Sequence, residues 1–150
     1  MTSPESPGTG ATTKVLIVDD QRIIAEAVRR MLAEAPDLEL TWCGEGQKAI
    51  ETALELRPDV ILQDLVMPDA DGLDLVREMR ATDALAIVPL IVLSSKEEPA
   101  TKAEAFARGA NDYLVKLPDK VELIARIRHH AAGFRAQRER DIAWSALRSE

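Results

Sequence analysis

Five side chains that can bind a metal ion or a phosphoryl group lie within two residues of the end of a short apolar run of the sequence. Two adjacent carboxylates, Asp19 and Asp20, follow the first run, and Asp64 follows the third. The fourth run ends at the hydroxyl of Ser94, and the fifth ends at the ammonium of Lys116. Three carboxylates held close together repel one another, and a hard divalent cation such as Mg²⁺ removes that cost. A carboxylate beside Mg²⁺ can also act as a nucleophile toward a phosphoryl group, whose oxygens the hydroxyl and the ammonium could bind.

The pattern of the whole chain explains why these residues are expected to meet. Short apolar runs alternate with segments whose apolar residues recur at helical spacing, which is typical of a doubly wound α/β domain with a parallel sheet. The five runs are residues 15–18, 38–43, 60–62, 90–93 and 113–115. The carboxyl ends of such strands open onto one edge of the sheet, where ligands bind. The five side chains are therefore predicted to share one site.

Each of these residues has a simpler explanation when it is taken alone. An aspartate after a strand often caps the next helix, which would account for Asp19 or Asp20. Ser94 alone would be a turn or cap residue, and Lys116 alone would be a solvated lysine. Asp64 is harder to explain in this way, because it ends a buried strand and precedes a loop at residues 67–72. All of the simpler explanations would have to hold together to remove the site.

Composition and charge restrict the class of protein. The chain has 150 residues, enough for one compact domain with some extra helix, and its 46% hydrophobic and 30% charged residues are typical of a soluble globular protein. No apolar run approaches the roughly 20 residues that span a bilayer. The net charge of −7 argues against binding nucleic acid through a broad basic face. The single cysteine, Cys43, excludes an internal disulfide and a multi-thiolate metal site, and its apolar surroundings predict burial.

The two ends of the chain differ from the middle. The first dozen residues are rich in Pro, Ser, Gly and Thr and lack the basic start and apolar stretch of a secretory signal. They predict a disordered leader and a cytoplasmic protein. Residues 127–150 contain no proline, and Gly133 is their only glycine, so the last helix is predicted to extend past the domain. One interpretation of this extension is a solvated helical tail. The other is a functional helix that connects domains or forms a dimer contact, and Trp144 suggests such a partner.

Several motifs resemble the receiver domain of bacterial two-component response regulators. They are VDD at residues 18–20, Asp64 with Met67-Pro68, Ser94-Ser95, and GANDYLVK at residues 109–116, in the order and at spacings like those of the family. The resemblance covers roughly residues 14–130. It implies a flavodoxin-like (CheY-like) fold, a five-stranded parallel sheet of strand order 2-1-3-4-5 followed by an extended C-terminal helix. The implied organisation is a leader at residues 1–13, a receiver domain at 14–132 and a helical stalk at 133–150.

The resemblance assigns roles to the acidic residues. Asp64 would be the phosphoacceptor. Asp20 would bind Mg²⁺ directly, and Asp19 would act on the ion mainly through water. The backbone carbonyl of Val66 would be a further Mg²⁺ ligand.

The resemblance also implies a switch rather than an enzyme. A partner histidine kinase would phosphorylate Asp64, Ser94 would move to engage the phosphoryl group, and Lys116 would pair with it. Tyr113 would swing inward as Ser94 moves. The face formed by the fourth helix, the fifth strand and the last helix would then change, which implies a homodimer through this face or through the last helix. Neither nucleic acid nor a membrane is an expected partner of this domain.

A narrower resemblance concerns the output. ILQDLVMP at residues 61–68, SKEEP at 95–99 and KLPD at 116–119 are similar to the receiver of Wsp-type regulators. In those proteins a helical stalk joins the receiver to a GGDEF diguanylate cyclase, which makes cyclic di-GMP. The chain ends within what resembles the stalk, so we expect a fragment whose output domain is missing. Another output class, or a stand-alone receiver, is the alternative.

The sequence departs from the common receiver pattern in two places. Lys116 is followed by Leu117, so the cis bond usual after this lysine cannot be a Lys–Pro bond, and a cis bond before Pro118 stays open. Val66, two residues past the phosphoacceptor, is apolar and cannot orient an attacking water. We therefore predict a long-lived phosphoryl group.

Two other functions are compatible with a cluster of this kind. A Mg²⁺-dependent phosphatase with an aspartyl nucleophile typically needs a second aspartate two positions later on the first strand, where this chain has Gln21 after Asp19. A pure interaction module that takes no phosphate would not need the full acidic set. Both are therefore disfavoured.

Overall fold

The computed structural model describes residues 12–148, so the predicted leader lies outside the described residues except for Thr12 and Thr13. The strands are β1 (Thr13–Val18), β2 (Leu38–Cys43), β3 (Val60–Gln63), β4 (Val66–Met67), β5 (Ala70–Asp71), β6 (Leu90–Ser94) and β7 (Asp112–Val115). The α-helices are α1 (Arg22–Leu32), α2 (Ala49–Leu56), α3 (Gly72–Ala81), α4 (Pro99–Ala107) and α5 (Lys120–Arg148), with 3₁₀ turns at Gly46–Lys48 and Asp83–Leu85.

Five of the strands form one parallel sheet in the order β2-β1-β3-β6-β7. The other two, β4 and β5, form a separate antiparallel ribbon that overlaps residues 67–72, the segment predicted as a loop. With this ribbon left aside, the sheet has the 2-1-3-4-5 order, which confirms the predicted doubly wound, flavodoxin-like α/β fold. The register pairs Val18 with Gln63 and Gln63 with Val92, so β1 and β3 end at the same level.

The core consists of two apolar layers, one on each face of the sheet. Alternate residues of β1 enter different layers, because successive side chains of a strand point to opposite faces. Leu16 and Val18 pack toward α2, α3 and α4, whereas Val15 and Ile17 pack toward α1 and α5. Strands buried on both faces must be apolar almost throughout, which is why they read as continuous apolar runs.

Helix α5 confirms the predicted long C-terminal helix. Its 29 residues give a length of about 44 Å. Its buried stripe is spaced four, four and three residues apart, and consists of Leu123, Ile127, Ala131 and Phe134. Beyond this stripe, Ile142, Trp144 and Leu147 are each more than 60% exposed. None of the helices within residues 12–148 combines the length and apolar character that a membrane span requires.

Candidate phosphoacceptor site

The ends of β1 and β3 bring three carboxylates together. The backbone N–H of Asp64 donates to the carbonyl of Val18 at 2.9 Å, which holds the end of β3 against the end of β1. One carboxylate oxygen from each of Asp19, Asp20 and Asp64 lies within 4.8 Å of the others. The sequence predicted this convergence, and the parallel register produces it.

The donor set of this cluster fits Mg²⁺. All three side chains offer carboxylate oxygens, the hard ligands that Mg²⁺ takes in small numbers while it keeps several waters. Asp19 and Asp64 are only 1% and 5% exposed, whereas Asp20 is partly exposed and opens the cluster to solvent. An ion bound here would therefore have both buried protein ligands and access to water.

Lys116, at the end of β7, places its ammonium against the two buried carboxylates. Its Nζ lies 2.7 Å from Asp19 Oδ2 and 3.0 Å from Asp64 Oδ1, and its side chain is 11% exposed. Burial acts to lower the pKa of Lys116, but the contacts with the two carboxylates outweigh it and raise the pKa. Burial also raises the pKa of Asp64, and the nearby charge of Asp19 adds to the rise while Lys116 opposes it. The ammonium thus offsets part of the repulsion between the carboxylates.

Ser94 and Tyr113 are linked through one backbone segment. Ser94, 1% exposed, accepts a hydrogen bond at its Oγ from the backbone N–H of Lys96 at 3.1 Å. The Tyr113 hydroxyl donates to the backbone carbonyl of the same lysine at 2.8 Å. The two predicted switch residues are therefore tied to Lys96 and not directly to the carboxylates.

A cavity of about 480 Å³ opens above Asp64. The side chain of Val66 lines it and is 60% exposed, so an apolar group stands at the entrance. Leu117 also lines it, and the peptide bond between Lys116 and Leu117 is cis. The cis bond thus lies directly after the lysine, one residue before the bond that the sequence left open.

Three further residues that the sequence did not suggest hold the backbone of the site. The indole N–H of Trp42 donates to the carbonyl of Asp19 at 2.7 Å, and the side-chain amide of Gln63 donates to the carbonyl of Asp64 at 2.8 Å. A Cβ on Gly72 would lie 2.3 Å from the Asp64 carbonyl oxygen, so this position requires glycine. A polar side chain near the end of an apolar strand was the only available signal for Trp42 and Gln63.

Comparison with known proteins identifies the family. The model of the response regulator receiver domain matches residues 15–128. The chain belongs to this family. The transcriptional regulatory protein ResD of Bacillus subtilis is 35% identical over 116 residues, which cover 77% of this chain and 47% of ResD. The DNA-binding response regulator MtrA of Mycobacterium tuberculosis is 33% identical over 115 residues, which cover 77% of this chain and 49% of MtrA. The chain spans about half the length of these curated relatives.

Solved structures of receivers agree with this assignment. The receiver domain of Francisella response regulator 1452 superposes with a TM-score of 0.74 at 30% identity, covering 81% of this chain and 98% of the other. The chemotaxis protein CheY4 of Vibrio cholerae superposes with a TM-score of 0.73 at 31% identity, covering 79% and 98%. The predicted CheY-like receiver domain of a two-component response regulator is thereby confirmed. Receiver domains bind Mg²⁺ at an acidic pocket, are phosphorylated by histidine kinases and couple to output domains.

Proposed function

We propose that this receiver is a cytoplasmic switch in which Asp64 accepts a phosphoryl group from a partner histidine kinase or a small phosphodonor, and that the modified domain switches an attached output. The observation that carries the proposal is the cluster of three carboxylates within 4.8 Å, two of which contact Lys116. A carboxylate oxygen of Asp64 attacks phosphorus, and the bond from phosphorus to the donor breaks, with the electron pair leaving on the donor. Mg²⁺, held by Asp19, Asp20, Asp64 and the Val66 carbonyl, would offset the charge of the phosphoryl oxygens.

The contacts around Lys96 suggest how the modification would be transmitted. Phosphorylation adds charge and acceptor oxygens, to which the Ser94 hydroxyl donates and with which Lys116 pairs. Movement of Ser94 breaks its bond from the Lys96 N–H, and the Lys96 carbonyl is the group that holds the Tyr113 hydroxyl. Release of Tyr113 then lets its ring turn inward. The surface formed by α4, β7 and α5 changes as a result.

The test is the substitution Asp64→Asn, which keeps the size and polarity of the side chain and removes the nucleophile. Incubation with acetyl phosphate and Mg²⁺ should add one phosphoryl group to the wild-type chain and none to the variant, as intact mass spectrometry would measure. Asp83→Asn, at an exposed carboxylate far from the sheet edge that carries Asp64, is the matched control and should be labelled like the wild type. Stoichiometric labelling of Asp64→Asn would contradict the proposal.

For the output we propose a GGDEF diguanylate cyclase joined through α5. Support comes from the Wsp-type stretches around Asp64 and Lys116, and from a helix that continues 14 residues beyond its last buried residue, Phe134, to Arg148. The receiver itself would then be no enzyme beyond slow self-dephosphorylation. The second candidate is a DNA-binding output, which the names of ResD and MtrA favour.

The full-length protein distinguishes the two outputs. Formation of cyclic di-GMP from GTP, increased by acetyl phosphate, would support the cyclase. Phosphorylation-dependent binding to promoter DNA without turnover of GTP would support the alternative. A Gly-Gly-Asp/Glu-Glu-Phe motif encoded after Glu150 would agree with the first result.

A further inference from the structure

Gln63, the last residue of β3, binds the backbone that follows it. Its side chain is fully buried, and its Nε2 donates to the carbonyl of Asp64 at 2.8 Å. Because a carbonyl oxygen only accepts, the nitrogen of the amide must be the atom that faces it. The same nitrogen lies 4.0 Å from the Sδ of Met67, on the far side of the loop after β3.

A glutamine at this position carries a cost in folding stability. Its Oε1 is buried, and none of the residues between 12 and 148 donates a hydrogen bond to it. A buried acceptor without a partner destabilises the fold. Ile61 on β3 and Val92 on β6 share this face of the sheet and are apolar, so an apolar side chain would suit the layer. A residue that violates the local pattern in this way is expected where function requires it.

The contact replaces a missing bond of the sheet. Pairing between β3 and β6 ends at Gln63 and Val92, so the carbonyl of Asp64 lies beyond the ladder. The N–H of Asp64 is already held by Val18, and Gln63 holds the carbonyl. Hydrogen bonds from other residues thus hold both the backbone N–H and the backbone carbonyl of Asp64. Val66, whose carbonyl is the proposed Mg²⁺ ligand, comes in the sequence between Asp64 and Met67, the two residues that Gln63 contacts.

We propose that Gln63 is a positioning residue of the phosphoacceptor site. Its amide fixes the backbone from Asp64 to Met67, and so holds the Asp64 carboxylate and the Val66 carbonyl in the arrangement that binds Mg²⁺. The inference rests on the proposed function and adds a residue to it.

The test compares Gln63→Met with Ile61→Met, a matched change on the same strand and the same face. Both are made in a Trp144→Phe background, which leaves Trp42 as the single tryptophan of the chain. Its indole donates to the carbonyl of Asp19, so its fluorescence reports on the metal site. Gln63→Met should raise the dissociation constant for Mg²⁺ roughly three- to tenfold, the factor expected for one lost neutral hydrogen bond. The rate of phosphorylation by acetyl phosphate at subsaturating Mg²⁺ should fall by a similar factor, and Ile61→Met should change neither.

Far-UV circular dichroism and urea unfolding establish that each variant is folded at the temperature of the titration, and Gln63→Leu serves in place of Gln63→Met if the latter is not. An unchanged Mg²⁺ affinity in a folded Gln63 variant overturns the inference, as does a wild-type chain that binds no Mg²⁺. A chain that binds Mg²⁺ but takes no phosphate overturns the proposed function alone, and the titration still decides the role of Gln63.

Discussion

At the scale of single residues, Lys116 controls the charge balance of the site. Replacing it by methionine leaves Asp19 and Asp64 as buried charges without their cation. We expect Lys116→Met to lower the free energy of unfolding in metal-free buffer by about 3–5 kcal/mol. Added Mg²⁺ should restore part of this loss, because the ion offsets the same carboxylates. Urea unfolding with and without Mg²⁺ measures both effects.

Lys120→Met is the control for this prediction. Lys120 pairs with Glu34 on the surface, where both side chains are more than 40% exposed, so its loss should cost less than about 1 kcal/mol. Equal losses in the free energy of unfolding for the two lysine variants would contradict the prediction, because they would show that the buried ion pairs of Lys116 contribute no more than a surface pair.

The side chain of Val66 is expected to determine how long the phosphoryl group persists. It stands exposed at the entrance of the cavity above Asp64 and has no group that orients water. Val66→Asn should therefore accelerate loss of phosphate from the modified chain several-fold, as followed by mass spectrometry after removal of the donor. Val121→Asn, at an exposed apolar residue at the start of α5, should leave the rate unchanged. A wild-type phosphoryl group that is already lost rapidly, at a rate that Val66 variants do not alter, would contradict the prediction.

At the scale of elements, an ionic clamp joins β7 to α5. Arg126 Nη1 donates to Asp112 Oδ1 at 2.7 Å and to Oδ2 at 2.9 Å, and His130 Nε2 lies 3.0 Å from Oδ2. Burial acts to raise the pKa of Asp112, but the hydrogen bonds from Arg126 and His130 outweigh it and hold the pKa below its ordinary value of 3.8. The ionised carboxylate therefore stabilises the packing of the helix on the sheet edge.

This lowered pKa predicts a pH dependence. Asp112→Asn should reduce the free energy of unfolding at pH 7 by about 1.5–3 kcal/mol, the range for hydrogen bonds to a charged group. The contribution of Asp112 is complete above about pH 4 and is lost as the pH falls through the folded-state pKa. The difference between wild type and variant in urea unfolding should thus stay constant from pH 7 to about pH 5 and shrink as the pH falls below about 4. Asp141→Asn, at an exposed carboxylate of α5, is the control. Its free energy of unfolding should differ little from that of the wild type at either end of this pH range.

At the scale of the whole molecule, helix α5 extends 14 residues beyond Phe134, its last buried residue. Arg135 and Arg138 approach the buried carboxylate of Asp59 at 3.7 Å and 4.0 Å, so the first part of the extension is held at the amino end of β3. The exposed apolar residues further along suit a partner helix. We therefore expect phosphorylation to increase self-association, measured by sedimentation velocity with and without acetyl phosphate.

Two substitutions locate the dimer contact. Leu147→Ser should weaken self-association if the end of α5 mediates it, and Phe106→Ser should do so if the surface of α4, β7 and α5 does; these side chains are 66% and 48% exposed. Ile23→Ser, 72% exposed on α1, is the control. A chain that stays monomeric before and after phosphorylation would contradict the prediction.

Local sequence patterns were sufficient to identify the elements and the chemical groups at their ends. Apolar runs and helical spacing are local properties, so the five strands of the main sheet, the long α5 and the strand-end residues could be identified without coordinates. The parallel arrangement followed from the alternation of strands and helices, and it predicted that Asp19, Asp20, Asp64, Ser94 and Lys116 would meet. Four of them do, whereas the hydroxyl of Ser94 is bound to the backbone of Lys96. The ribbon of β4 and β5 was missed, because two-residue strands leave no periodic signal.

The contacts that hold the site in place could not be read from local patterns, because they arise from tertiary packing. The three carboxylate oxygens lie within 4.8 Å of one another, and the Lys116 ammonium contacts two of the carboxylates. Both features depend on the register of strands that are far apart in the chain. The roles of Trp42 and Gln63 depend on which backbone carbonyls remain beyond the hydrogen-bonded ladder. The sequence specifies which groups are available, and packing at the ends of the strands decides which of them bind one another.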